Sequence, residues 1–168
     1  IDGAKDIVRY TTASGERSVT VSATQFTPAN GPKPLAIDDY EWSKDQKRLL
    51  LYTNSQKVWR RKTRGDYWVL NQETGQLKQL GGEAQPATLM FASISPDGRR
   101  IAWLRRDAGA TLMATNLYVE DWRTGEITQL THDAEARRAD GTGKTVINGT
   151  ADWVNEEEFD LRKAYEWS

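Results

Sequence analysis

The chain contains no cysteine, which excludes a disulfide framework and any cysteine-ligated zinc centre. Its one histidine, His132, excludes a histidine cluster for metal and leaves little for acid–base chemistry. No apolar run approaches the ~18–20 residues that span a bilayer, and mean hydropathy is −0.73. The 23 basic and 24 acidic residues nearly cancel, so no global field draws the chain onto nucleic acid or an anionic membrane. No basic n-region followed by an apolar h-region is present, so no targeting segment is expected in these residues. Nothing in the composition calls for a metal or another cofactor. The 168 residues suffice for one ordinary domain with a real core.

What is present points to strands. Seven Trp and six Tyr occur without a helical period, and the chain repeats itself. "GDYWVLNQETGQLKQL" (65–80) superposes on "TNLYVEDWRTGEITQL" (115–130) at an offset of 50 residues. "YEWSKDQKRLLLYT" (40–53) superposes on "ASISPDGRRIAWLR" (92–105) at an offset of 52, and Trp167-Ser168 resembles the opening of a further copy. The runs "RLLLYT", "DYWVL", "RIAWL" and "NLYVE" have strand composition, and "ETGQ", "RTGE" and "SPDG" have turn composition. A period near 50 of short strands and turns predicts an all-β, partial β-propeller of about three blade-like antiparallel sheets. The expected organisation is a partial blade and connector over 1–39, a blade over 40–91 and a blade plus inserted loop over 92–145. Residues 146–168 then hold an acidic motif and the start of a next blade. A closed propeller typically needs about four to eight blades, so this length predicts a piece of one, or closure by a second chain.

Several short motifs are better explained by local structure than by chemistry. "GTGKT" (141–145) lacks the Gly of a phosphate-binding loop, since Arg138 stands five positions before Gly143. Asn148-Gly149-Thr150 fits a glycosylation acceptor, but an Asn-Gly turn is the more economical account. His132 has no Gly-x-Ser-x-Gly elbow to serve, so it is expected at the surface and no residue of the chain is expected to be catalytic. The basic stretch "KVWRRKTR" (57–64) is expected as a solvated loop anchored by Trp59, and not as a nucleic-acid site.

The stretch "DWVNEEEF" (152–159) sets three carboxylates beside Asp152 and Trp153. They are either a solvated acidic loop or the receptor of a cation. Capture of one ammonium needs the carboxylates to converge, and a strand would point Glu157 and Glu158 to opposite faces. Convergence therefore predicts a helical turn or bulge over 155–159. Adjacent carboxyls are too close for glycoside hydrolysis, which places two of them roughly 5–10 Å apart across a sugar.

"NGTADWVNEEEF" and "KVWRRKTRGDYWVL", with "IDDYEWS", "SPDGRRIAWL", "NLYV" and "TGEITQLTHD" in the same order, resemble the N-terminal β-propeller of the dipeptidyl peptidase IV family. That family lies within the prolyl oligopeptidase clan of serine peptidases. The resemblance implies that Glu157 and Glu158 bind the α-ammonium of a peptide substrate and that Arg60 holds its backbone carbonyl. Trp59, Asp152 and Trp153 support them. Asn155 stands where many members carry Tyr, and "DAGATLMA" (107–114) lengthens a loop that is short in many relatives. The resemblance further implies a parent enzyme releasing N-terminal dipeptides of the Xaa-Pro or Xaa-Ala type. Its Ser, Asp and His lie on an α/β-hydrolase domain absent from this chain, so the chain alone is expected to be inactive. The partners implied are a peptide with a free N-terminus, the remaining blades and the hydrolase domain. A homodimeric parent and a periplasmic or secreted location fit the same resemblance. The alternative is a non-enzymatic propeller that binds protein partners.

Overall fold

The computed structural model describes residues 5–58, 60–106, 114–134 and 146–168. Trp59, "GTGKT" and nearly all of the 107–114 insertion lie outside them. Ten strands and one short helix follow one another: β1 (Ile7–Tyr10), β2 (Arg17–Val21), β3 (Ile37–Trp42), β4 (Arg48–Val58), β5 (Arg61–Asn71), β6 (Leu77–Gln79), β7 (Leu89–Ile94), β8 (Arg100–Arg105), β9 (Asn116–Asp121), β10 (Glu126–Gln129) and α1 (Trp153–Phe159). Strands β3 to β6 form one antiparallel meander and β7 to β10 a second, and β1–β2 is a separate hairpin. The two meanders touch in register only at Gly65 and Leu89. They are the blades of a partial propeller.

The core lies between the sheets, and strand periodicity explains how. Leu49, Leu51 and Leu70 point to one face of the first meander, where they pack with Ile7, Val21 and Phe26. Leu50, Tyr67 and Val69 point to the other face, against Ile101, Trp103, Tyr118 and Trp122 of the second meander. A sheet covered on both faces needs no polar alternation, which is why β4 carries the unbroken run Leu49-Leu50-Leu51. Removing each such side chain from water contributes roughly 1.5–3 kcal/mol.

The repeat extends to individual hydrogen bonds. In the turn after β3 the Ser43 hydroxyl donates to Asp45 at 2.6 Å and accepts from the Arg48 amide at 2.9 Å. In the turn after β7 Ser95 does the same with Asp97 and Arg100, at 2.6 and 2.9 Å. Hydroxyl donation, with amides at Lys47 and Arg99, holds both aspartates below the usual carboxylate range.

The hairpin turn recurs a third time, within the partial blade expected over 1–39. Gly15, Gly75 and Gly125 each donate a backbone hydrogen bond four residues back, to Thr11, Asn71 and Asp121, and each has positive φ. The β1–β2 hairpin is thus the outer pair of a preceding blade. The connector 24–34 overlaps one 3-10 turn, Ala23–Phe26, whose Phe26 is fully buried. At the other end, Trp167-Ser168 forms no strand among the described residues. Trp167 instead donates its indole N–H to the Ser93 carbonyl at 3.3 Å.

Candidate functional site

The basic stretch is not a loop. It is the end of an unusually long hairpin, with eleven residues in each of β4 and β5. The strands are regular as far as Thr53↔Asp66. A register shift with Asn54 at φ 47° then lets them continue past the blade to Val58↔Arg61. The extension has no apolar face to bury, which is why its composition resembled a loop. It sets Lys57 opposite Lys62, a repulsive pairing. Asp38 of β3 relieves it by accepting from Lys62 at 3.0 Å and from the Ser55 amide at 3.2 Å. Burial alone would push the Asp38 carboxyl up, but these two partners outweigh it and hold it below the usual range. Arg60 sits in the turn between the two strands.

The acidic stretch forms a short helix, α1, where a helical turn was expected over 155–159. The Asp152 carboxylate caps α1 by accepting from the Asn155 amide at 2.9 Å and from its side chain at 3.0 Å. Those two bonds hold the Asp152 carboxyl below its ordinary range. At the other end Asp160 takes the left-handed conformation that closes a helix. An antiparallel bridge, Thr150↔Lys163, shuts the loop at its base.

Arg60 and the acidic helix meet. Arg60 Nη1 lies 2.7 Å from Glu157 Oε1, and Glu158 has no ion pair within the described residues. The Arg60–Glu157 pair joins the hairpin tip to the acidic helix across 97 positions of sequence. Asp152 contributes capping, not charge at the tip. Trp153 is 71% exposed. His132 is exposed, as expected.

Three partners escaped the reading of the sequence. Arg61 lies 3.7 Å from Glu156 and 3.3 Å from Asp160, and Arg162 lies 3.7 and 2.7 Å from the same two residues. The available signal was the four-residue spacing of Glu156 and Asp160, one helical turn apart.

Beside this cluster lies a cavity of about 210 Å³ between strands β3 to β5 and β7, walled by Tyr40, Tyr52, Tyr67 and Phe91 and rimmed by Lys62 and Arg162. Phe91 has φ 51° at a register shift in β7, and the Tyr165 hydroxyl donates to its carbonyl. Burial, then Asp38 and Asp39, pushes Tyr52 up to about 12. Burial raises Tyr67 and Tyr165 as well. All three phenols therefore remain protonated donors at neutral pH. Among the described residues no group of His, Cys, Asp and Glu could hold a metal ion, and no helix is long and apolar enough to cross a membrane.

Stacked four-stranded meanders with a charged hairpin tip set against a short acidic helix define a partial β-propeller. The family model for the dipeptidyl peptidase IV (DPP IV) N-terminal region matches residues 43–168, and the chain belongs to that family. The chain is 32% identical over 127 residues to "Probable dipeptidyl-aminopeptidase B" of Phaeosphaeria nodorum, covering 75% of this chain and 12% of that protein. It is 30% identical over 136 residues to dipeptidyl aminopeptidase B of Saccharomyces cerevisiae, covering 80% and 14%. The crystal structure of Porphyromonas gingivalis dipeptidyl peptidase 4 superposes with a TM-score of 0.69 and 25% identity, over 97% of this chain and 20% of that one. The chain thus spans less than a fifth of the curated relatives' length.

Proposed function

We propose that this chain is the part of a serine dipeptidyl peptidase that recognises the free N-terminus of its peptide substrate. Glu157 and Glu158 take the α-ammonium and Arg60 takes a backbone carbonyl. The observation that carries the reading is the 2.7 Å contact between Arg60 and Glu157, which are 97 positions apart. A basic tip and an acidic helix drawn together from distant sequence offer a donor and acceptors side by side, the complement of a peptide's amino end.

In this reading Arg60 partly neutralises Glu157 in the free site, while Glu158 keeps its full charge. An arriving ammonium satisfies both carboxylates and releases Arg60 toward the carbonyl. Anchoring the amino end fixes how many residues lie before the scissile bond, so a dipeptide leaves. Nucleophile, base and oxyanion donors belong to a separate α/β-hydrolase domain. Activity of this kind suits a periplasmic or secreted parent that meets peptides outside the cytoplasm.

The test compares Ala-Pro-p-nitroanilide with its N-acetyl counterpart in the full-length protein. Glu157→Gln and Glu158→Gln each keep shape and remove one charge. Each is expected to lose about 1.5–3 kcal/mol of transition-state stabilisation on the free-amine probe, the worth of a hydrogen bond to a charged group. The acetylated probe, with no ammonium to bind, is expected to change far less. Equal losses on both probes would mean that the carboxylates hold structure and do not recognise the N-terminus.

A further inference from the structure

Helix α1 has seven residues and buries none of them. A helix that short has little stability of its own, and Trp153, Val154, Phe159 and Leu161 of the same loop are all exposed. Caps and the Thr150↔Lys163 bridge fix its local shape, but those bonds are internal to the loop. Among the described residues, the ion pairs that reach the helix loop from the hairpin come from Arg60 and Arg61. If Arg60 gives up Glu157 to a ligand, the Arg61 ion pairs still join the hairpin to the helix loop among the described residues.

We infer that Arg61 is a positioning residue, which holds the hairpin tip against α1 while Arg60 changes partners. Glu156, Asp160 and Arg162 complete its seat. The inference rests on the ammonium-clamp reading above.

The geometry favours that role over simple charge balance. Arg61 spans one helical turn, with Nε toward Glu156 Oε1 and Nη1 toward Asp160 Oδ1. Arg162 meets the same two oxygens from within the loop, through Nε and Nη2. Two guanidinium groups and two carboxylates thus alternate in a closed ring. A guanidinium fork can join both acids at once, whereas an ammonium is a single point charge. The pairs are partly exposed, with Arg61 at 45% and Asp160 at 72%, and exposed pairs add little stability. Their effect is to set where Glu157 and Glu158 stand relative to Arg60. Glu156, the carboxylate to which the family pattern gives no ammonium contact, therefore has work of its own.

The experiment uses the full-length protein and the same two probes. Arg61→Ala is expected to raise KM for Ala-Pro-p-nitroanilide about tenfold, with kcat within about twofold, because misplacing a clamp weakens binding before chemistry. The acetylated probe is expected to respond far less, and the melting temperature to stay close to wild type. Arg61→Lys should recover only part of the loss. Glu156→Gln should resemble Arg61→Ala, and the pair together should cost little more than either, since both break one ring. Equal loss on both probes with a lowered melting temperature would make Arg61 merely structural and overturn the inference. If Glu157→Gln and Glu158→Gln abolish the preference for a free amine while Arg61→Ala keeps wild-type KM, the positioning role falls and the clamp stands. If the two Gln variants keep the preference, the clamp reading fails and this inference fails with it. Should Arg61→Ala not fold, Arg61→Lys carries the same KM comparison.

Discussion

The two meanders share one frame and differ where the frame is used. Both place the same Ser-x-Asp turn after their first strand and the same Gly-ended turn after their third. Both bury one face against the preceding sheet. In the second meander the central strands β8 and β9 have six residues each. In the first they have eleven each, and the surplus carries Arg60 and Arg61 outward to meet α1. The repeat supplies rigidity, and the departures from it supply the site. That division suits a fixed cluster of charges, because a tip continued from packed strands holds its charges better than a loop would.

The sharpest break in the comparison falls at Gly65, which the 50-residue offset matches to Thr115. In the second meander Thr115 is buried and donates to the Asn148 carbonyl at 2.7 Å, tying down the segment that leads to α1. In the first there is no room for any side chain. A Cβ on Gly65 would lie 2.3 Å from a Tyr52 ring carbon and 2.6 Å from the Thr53 carbonyl oxygen. Tyr52 cannot swing away freely, since its hydroxyl donates to the Arg64 carbonyl at 2.7 Å. Gly65→Ala is therefore expected to destabilise the protein by about 3 kcal/mol, at the upper end for overpacking. The urea midpoint measures it. A change under about 0.5 kcal/mol, the range of ordinary surface substitutions, would show that β4 and β5 pack more loosely around Gly65 than their register suggests.

A second difference lies inside the core. Leu51 and Leu70 of the first meander correspond by the same offsets to Trp103 and Glu120 of the second, and all four are buried. The two changes belong together. The Trp103 indole N–H donates to Glu120 at 3.2 Å, and the Gly81 amide donates to the same oxygen at 2.8 Å, joining the end of one blade to the middle of the next. Burial pushes the Glu120 carboxyl above its ordinary value, and the two hydrogen bonds only partly offset this. The sign follows. A carboxyl raised in the folded state contributes stability that is fully present below its unfolded value and is lost as pH rises through the folded one. Asp45 and Asp97, held low, contribute in the opposite direction, losing stability as pH falls. The wild type is therefore expected to lose stability relative to Glu120→Gln as pH rises from about 4.5 toward neutrality. Urea midpoints of the two proteins across that range give the difference directly. A difference that is flat, or that grows in favour of wild type, would mean that Glu120 is ionised in the fold at no cost.

The frame was legible because its signals are local. "SPDG", "ETGQ" and "RTGE" identify turns by residue type, and the offsets between them give the period. The acidic stretch was legible as a turn, since its run of charges does not alternate as a strand's would. What escaped notice was set by distant neighbours. The extended hairpin shows no alternation, because neither of its faces is buried. The first hairpin turn, Thr11 to Glu16, shares with the copy at 121–126 only its hydroxyl-Gly-Glu end, and it lies 60, not 50, residues before the next copy. Arg61, Arg162 and Asp160 each look like ordinary surface charge until the fold brings them together.

The finest difference between the meanders is a single backbone angle. At the tip of the Ser-x-Asp turn Gln46 has φ 58° where Gly98 has φ 68°. The bonds around them match: Gln46 and Gly98 each donate to the serine carbonyl three residues back at 2.8 Å. The left-handed region costs an ordinary residue about 1–2 kcal/mol, and glycine's freedom in the unfolded chain returns roughly 0.4–1 kcal/mol of that. Gln46→Gly should therefore stabilise the protein by about 0.5–1 kcal/mol. Gly98→Gln should destabilise it by a similar amount. Space is no obstacle there, since a Cβ on Gly98 would approach Ser43 no closer than 3.8 Å, an ordinary contact. Exchanging the two residues should return the urea midpoint near wild type, because the same strain has only moved from one turn to the other. A destabilised Gln46→Gly would break the equivalence of the turns, and would mean that the Gln46 side chain holds something its glycine counterpart does not.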